Sequence, residues 1–174
     1  MKKMFFFTCC IFLLTTARGY ADVGAIHIEK AGGFSFQAPK GWQFREFPGM
    51  KYQIAFGAAT NSFSPNMNVV DEAYEGSLKN YVDINLINIS KVFVQYKQIK
   101  RNIFVTNTGL KIEKVITSSL QQNMPLRQTF YFLPGINGKY FVVTCSTLAS
   151  TGDKLDAVFD ESMKTFEIIK PVSQ

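Results

Sequence analysis

Four β-rich segments, 99–106, 110–118, 126–133 and 139–147, follow one another with only short connections between them. The linkers Asn107-Thr108-Gly109, Gln121-Gln122-Asn123 and Pro134-Gly135-Ile136-Asn137-Gly138 consist of residues that reverse a chain. Strands joined this way pair with their sequence neighbours, so the segments predict an antiparallel meander. In the last of them Tyr140, Val142 and Thr144 point one way, and Phe141, Val143 and Cys145 the other. Both sets are mostly apolar. A sheet with a wet face is therefore excluded, and something must cover each side.

Two helical patterns are available as covers. From Ser77, which suits an N-cap, Leu78, Val82, Leu86, Ile89 and Phe93 recur at intervals of three and four, with Tyr81, Asn85 and Val92 alongside. Near the end, Ser150 and Asp153 resemble a capping box ahead of a stripe of Leu155, Phe159, Met163 and Phe166. Before the first helix, 25–29 reads as a short strand broken by Ala31-Gly32-Gly33. Phe34 and Phe36, then Trp42 and Phe44, alternate on either side of the turn Ala38-Pro39-Lys40-Gly41. Tyr52, Ile54 and Phe56 share a face, and 57–64 reads as a polar loop. The expected class is α+β: an antiparallel sheet of about six strands flanked by helices, an α/β/α sandwich.

The first residues, MKKMFFFTCCIFLLTTARGYA, have a basic start at Lys2 and Lys3, a short apolar run and a small-x-small end at Gly19-Tyr20-Ala21. This is the pattern of a cleaved export signal over 1–21, with 22–174 as one domain, exported to a periplasm or secreted. A spanning helix needs about 20 predominantly apolar residues, and Thr15, Thr16 and Arg18 interrupt the run, so no membrane anchor is expected after cleavage. Cys9 and Cys10 follow Phe7 and Thr8 rather than a small residue, a poor acylation box. Cleavage leaves Cys145 alone and rules out an internal disulfide. It also removes Lys2, Lys3 and Arg18 from the 19 basic residues, leaving 16 against 13 acidic, so the net charge falls from +6 to +3. That modest charge and the absence of an aromatic stacking platform argue against nucleic acid.

Few groups could carry chemistry. His27 is the chain's one histidine and sits near the start of the expected domain, and Cys145 lies in an apolar strand without a base beside it. Asp71, Glu72 and Glu75 are dense but lack the alternating ligands and central glycine of a calcium loop, and suit a strand-to-helix connection. No glycine pattern cradles a phosphate, so no cofactor, metal or catalytic residue is assigned. Two surfaces are candidate contacts. The loop Phe47-Pro48-Gly49-Met50 is an apolar tip that either folds back on the core or meets a partner or pocket, and Phe47 and Met50 are its candidates. Lys97, Lys100 and Arg101 form a basic strand edge, expected to face Lys111 and Lys114.

The stretch Phe63-Ser64-Pro65-Asn66-Met67-Asn68-Val69-Val70 reads either as a ligand loop or as the lead-in to a strand. Pro65 favours an extended preceding residue, while Asn66 and Asn68 can tie down nearby backbone, which favours the lead-in. The order of FxFxAPxGW, FSPNMNVV, the SLKNYVD helix start, four strands and the DKLDAVFDESMKTFEII helix resembles the PsbP-like superfamily. Its members include the extrinsic PsbP subunit of photosystem II, a Ran-binding nuclear import factor and bacterial DcrB-like proteins. The resemblance implies an antiparallel sheet between helices, a role for Pro65, Asn66 and Asn68 in starting a strand, and action by binding or assembly, with no catalytic residues to transfer. The chain departs from the pattern in lacking PsbP-type histidines beyond His27 and a lipoprotein acylation box. The expectation is a non-catalytic domain contacting an unknown protein or envelope component. The alternatives are a small-ligand carrier or enzyme with a pocket between sheet and helix, approached by Asn66, Asn68 and Asp71, or a secreted effector.

Overall fold

The computed structural model describes residues 22–61 and 63–169; the proposed leader over 1–21, with Cys9 and Cys10, and the tail from 170 lie outside the described residues. The meander forms as its linkers require, from β6 (Val94–Val105), β7 (Lys111–Gln121), β8 (Met124–Pro134) and β9 (Lys139–Leu148). The β7–β8 hairpin turns on Gln122 and Asn123, both with positive φ (48° and 64°), the backbone of a twist-matched two-residue turn. β5 (Asn66–Ala73) then pairs antiparallel with β9 from Asn66↔Ser146 to Ala73↔Lys139. The short β4 (Ile54–Phe56) and β3 (Gln43–Arg45) complete a seven-stranded sheet ordered β3-β4-β5-β9-β8-β7-β6.

The two faces of β9 enter two separate cores. Val142 packs with Phe130, Phe132 and Val115 beneath α1 (Leu78–Val92), whose Tyr81, Val82 and Leu86 are buried. Ser77 caps this helix by accepting from the Asn80 N–H at 3.2 Å. Val92, assigned to the stripe, is instead 74% exposed, because the helix ends there and the chain leaves the sheet surface. Phe141, Val143 and Cys145 enter the second core with Tyr131 and Leu133.

That second side departs from the expected single helical cover. α2 (Asp156–Lys164) has nine residues, about 14 Å at 1.5 Å per residue. Seven strands about 4.8 Å apart span about 29 Å. The uncovered remainder is closed by a second antiparallel sheet, in which β1 (Val23–Glu29) and β10 (Glu167–Ile168) flank β2 (Phe34–Pro39). The capping box assigned to Ser150 and Asp153 does not form. Residues Ala149–Thr151 make one 3-10 turn, Gly152 breaks it at φ 62°, and α2 starts at Asp156 after an uncapped Leu155. The stripe itself holds, with Phe159, Met163 and Phe166 fully buried.

Phe34 joins these layers. Its ring stacks on Phe166 at 5.4 Å and meets Phe141 and Tyr52 edge-on at 5.5 and 5.1 Å. It thereby links β2, the segment after α2, β9 and the chain leading into β4. Burying one phenyl side chain contributes about 1.5–3 kcal/mol from area alone, and the cavity left by its removal adds to that cost. Phe34→Ala is therefore expected to lower the unfolding free energy by about 3–5 kcal/mol. Phe47→Ala, at a side chain 55% exposed, should stay within about 0.5 kcal/mol. Urea denaturation of the two variants measures both.

Candidate functional site

Charged side chains of β7 and β8 hold α2, while Ser119, Gln121, Gln128 and Ser146 bond to one another within the sheet. Lys114 Nζ and the Tyr131 hydroxyl both donate to Asp160 Oδ1, each at 2.6 Å, tying α2 to β7 and β8. Arg127 grips Asp156 through two hydrogen bonds of 3.0 and 2.6 Å at the first turn of α2, where a carboxylate also suits the helix dipole. Cys145 is fully buried, and burial pushes its thiol well above its ordinary value, away from the thiolate that nucleophilic chemistry needs.

The acidic residues before α1 are likewise engaged. Asp71 accepts from Lys51 at 2.7 and 2.9 Å and from Lys139 at 3.1 Å. Burial pushes its carboxyl up, but hydrogen bonds from the two lysines outweigh burial and hold it below the usual carboxylate range. Glu72 accepts from the Tyr81 hydroxyl at 2.8 Å. Among the described residues no three histidine, cysteine or carboxylate side chains gather as a metal site.

The basic edge is arranged differently from the sequence expectation. Two irregularities in β6, at 94–97 and 98–100, shift its register, so Lys97 lies opposite Ser118 and Lys100 opposite Ile116. Lys111 and Lys114 lie opposite Val105 and Asn102 instead. Lys97 and Lys100 are exposed. Arg101 instead bridges Glu113 and Asp83, at 2.6 Å each, and fastens α1 to the sheet.

Phe47 and Met50 border a groove of about 730 Å³ between β1 and the 46–53 segment. Ile28 and His27 of β1 form its opposite wall, with Glu29, Glu46 and Lys51 supplying charge. Ile26 and Ile28 project from the outer face of an edge strand and are 56% and 53% exposed. His27 stacks on Phe44 with ring centroids 3.9 Å apart.

A second cavity, of about 540 Å³, lies at the end of the sheet where β9 runs toward α2. Its walls come from three distant segments: Trp42, residues 57–61 with Phe63 and Pro65, and 147–155. No local spacing could have revealed it. The FSPNMNVV stretch is divided by this arrangement. Asn66 to Val70 belong to β5, and the Asn66 amide donates to the Ser64 carbonyl at 3.1 Å while the Gly57 N–H donates to the Pro65 carbonyl at 2.8 Å. Phe63 and Pro65 form part of the cavity wall. Asn68 lies opposite Thr144 within the sheet, and neither Asn66, Asn68 nor Asp71 lines the cavity.

No protein-family model and no curated protein sequence matches the chain. Solved structures do. The chain is similar to the cyanobacterial PsbP (CyanoP) of Synechocystis sp. PCC 6803, with a TM-score of 0.57 and 15% identity, covering 87% of this chain and 95% of that one. It is similar to LpqN of Mycobacterium tuberculosis, involved in cell envelope biogenesis, with a TM-score of 0.58 and 12% identity over 87% and 88% of the two chains. It is also similar to the Ran-binding protein Mog1p of Saccharomyces cerevisiae, with a TM-score of 0.58 and 7% identity over 86% and 97%. The fold is PsbP-like.

The surroundings of His27 give a direct check on the groove wall. Burial lowers its pKa from the ordinary 6.5, and Glu29 opposes that shift. Below 6.5 the folded state therefore binds fewer protons than the unfolded chain, and stability rises with pH from the lowered value up to 6.5. An NMR titration of this one histidine should give a midpoint below 6.5. His27→Gln should remove the corresponding slope from urea unfolding free energies measured across that window.

Proposed function

We propose that this chain is an exported, non-catalytic PsbP-like domain that docks a protein or cell-envelope component through the groove between β1 and the 46–53 segment. The observation that carries this reading is that Ile28 and Phe47, each more than half exposed, line an open groove at a sheet edge, with Ile26 exposed farther along the same strand. Exposed apolar side chains gathered at one place are the usual mark of an interaction surface. An edge strand also offers backbone groups to which an extended partner segment can pair.

The non-catalytic part rests on the state of the residues that could otherwise react. Cys145 is sealed in the core, Asp71 is held by two lysines, and His27 is stacked on a phenyl ring. Lys97 and Lys100 provide a second, electrostatic contact at the opposite edge of the large sheet, with Arg101 given over to positioning α1. Export is supported by the leader pattern, and two structural neighbours come from a cyanobacterial PsbP and from a protein of mycobacterial envelope biogenesis. No helix among the described residues is long and apolar enough to cross a membrane.

A photocrosslinking residue placed at Phe47 in the producing cell should give an adduct of one defined mass, and the same residue at Lys79 on α1 should not. Ile28→Lys should reduce the Phe47 adduct about tenfold or more, as loss of a central contact does. Equal adducts at both positions, or none at Phe47, would contradict the docking surface. Intact mass of the exported product should show a chain lacking residues 1–21.

A further inference from the structure

The cavity at the end of β9 has the composition of a small-molecule site, and nothing in the docking surface described above requires it. Phe141, Val143 and Cys145 carry the apolar face of β9 through the core. Two residues later the same face places Thr147 at the cavity. Thr147 is 1% exposed, and its hydroxyl is buried with no hydrogen-bond partner among the described residues. An unpaired buried hydroxyl is costly, and a ligand atom that reaches it from the cavity with a small shift of the Thr147 side chain would satisfy it.

The walls set the apolar Trp42, Phe63, Leu148 and Leu155 beside the hydroxyls of Thr60, Ser150 and Thr151. The Trp42 ring stands edge-on to Phe159 at 6.1 Å, and it lies so close to Gly57 that a Cβ there would come within 2.7 Å of the indole. A side chain at 57 would displace the indole, which lines the cavity together with Phe63 and Leu155. The charge is one-signed. Lys154 is the one ionisable residue among the described lining, it is exposed at the rim, and it makes no ion pair among the described residues. The groove at β1, by contrast, contains Glu29, Glu46 and Lys51 together.

We propose that the cavity between Trp42, Phe63 and the 147–155 segment binds a small amphipathic anion, its apolar body between Trp42 and Leu155, its anionic head at Lys154 and a polar atom on Thr147 Oγ1. A volume of about 540 Å³ lies within the range of roughly 300–1,000 Å³ usual for small-molecule sites. A neutral sugar would leave the Lys154 ammonium without a counter-charge, whereas an anion supplies one.

The test uses the purified chain and needs no label, because Trp42 is the chain's one tryptophan and stands in the site. Dodecanoate, titrated below its micelle concentration, is expected to change Trp42 emission saturably with one site, confirmed by calorimetry. Lys154→Gln should weaken that binding about tenfold, the loss of a charge-assisted contact. Thr147→Val, which keeps the shape and removes the hydroxyl, should weaken it roughly fivefold, the net worth of one hydrogen bond. A urea midpoint unchanged in Lys154→Gln and not lowered in Thr147→Val establishes that the fold is intact, and Lys91→Gln, at an exposed position in the last turn of α1, should bind as the parent does. No saturable response to dodecanoate would overturn the proposal, as would full affinity in Lys154→Gln or equal affinity for octyl glucoside. Crosslinking at Phe47 reads the docking groove separately, so either result stands without the other.

Discussion

The middle of the large sheet has no face that tolerates water, and the rest of the molecule follows from that. Phe130 and Phe132 of β8 point into one core, and Tyr131 and Leu133 into the other, all nearly fully buried. One 15-residue helix suffices over the first face. The second is wider than the nine-residue α2 can cover, and the β1-β2-β10 sheet is recruited to finish it. The hydrophobic effect demands coverage without specifying how it is achieved. Here the chain uses segments from both sides of the meander, with Phe34 from before it and Phe166 from after it stacked together.

Apolar burial alone would leave both helices free to slide, since it lacks direction. Direction comes from a few charged pairs between helix and strand: Lys114 with Asp160, Arg127 with Asp156, and Arg101 with Asp83. Such partly buried pairs contribute little net stability, because desolvation offsets attraction. Removing one partner is nonetheless costly, and this makes them effective at fixing position. The charged groups nearest the core are thereby held by each other.

Legibility in the sequence tracked how local each feature is. The meander, the two stripes and the Ser77 cap depend on neighbours within a few residues, and their patterns survive in the fold. The second sheet depends on β10, only two residues long, pairing with Phe34 and Ser35 far earlier in the chain, and no local pattern marks it. The register of β6 was not legible because its irregularities, at 94–97 and 98–100, fall in a stretch without glycine or proline to announce them. The failed capping box at Ser150 had a visible cause in Gly152, whose positive φ ends the first turn. Of the candidate contacts, Phe47 and Met50 were legible as an apolar tip without a sheet face. The role of Arg101 was hidden, because Asp83 reaches it only through the packing of α1 on the sheet.

The two proposed binding sites lie at the margins that the double cover leaves over: the β1 edge with its loop and the cavity beyond Thr147. Native-state hydrogen exchange, resolved by residue, tests the division most directly. The account predicts that β8 and β9 amides open only with global unfolding and share its free energy, while amides from 46 to 65 exchange through smaller local openings. Exchange of β8 and β9 as fast as that of the β1 edge would contradict it, because a sheet sealed on both faces cannot open alone.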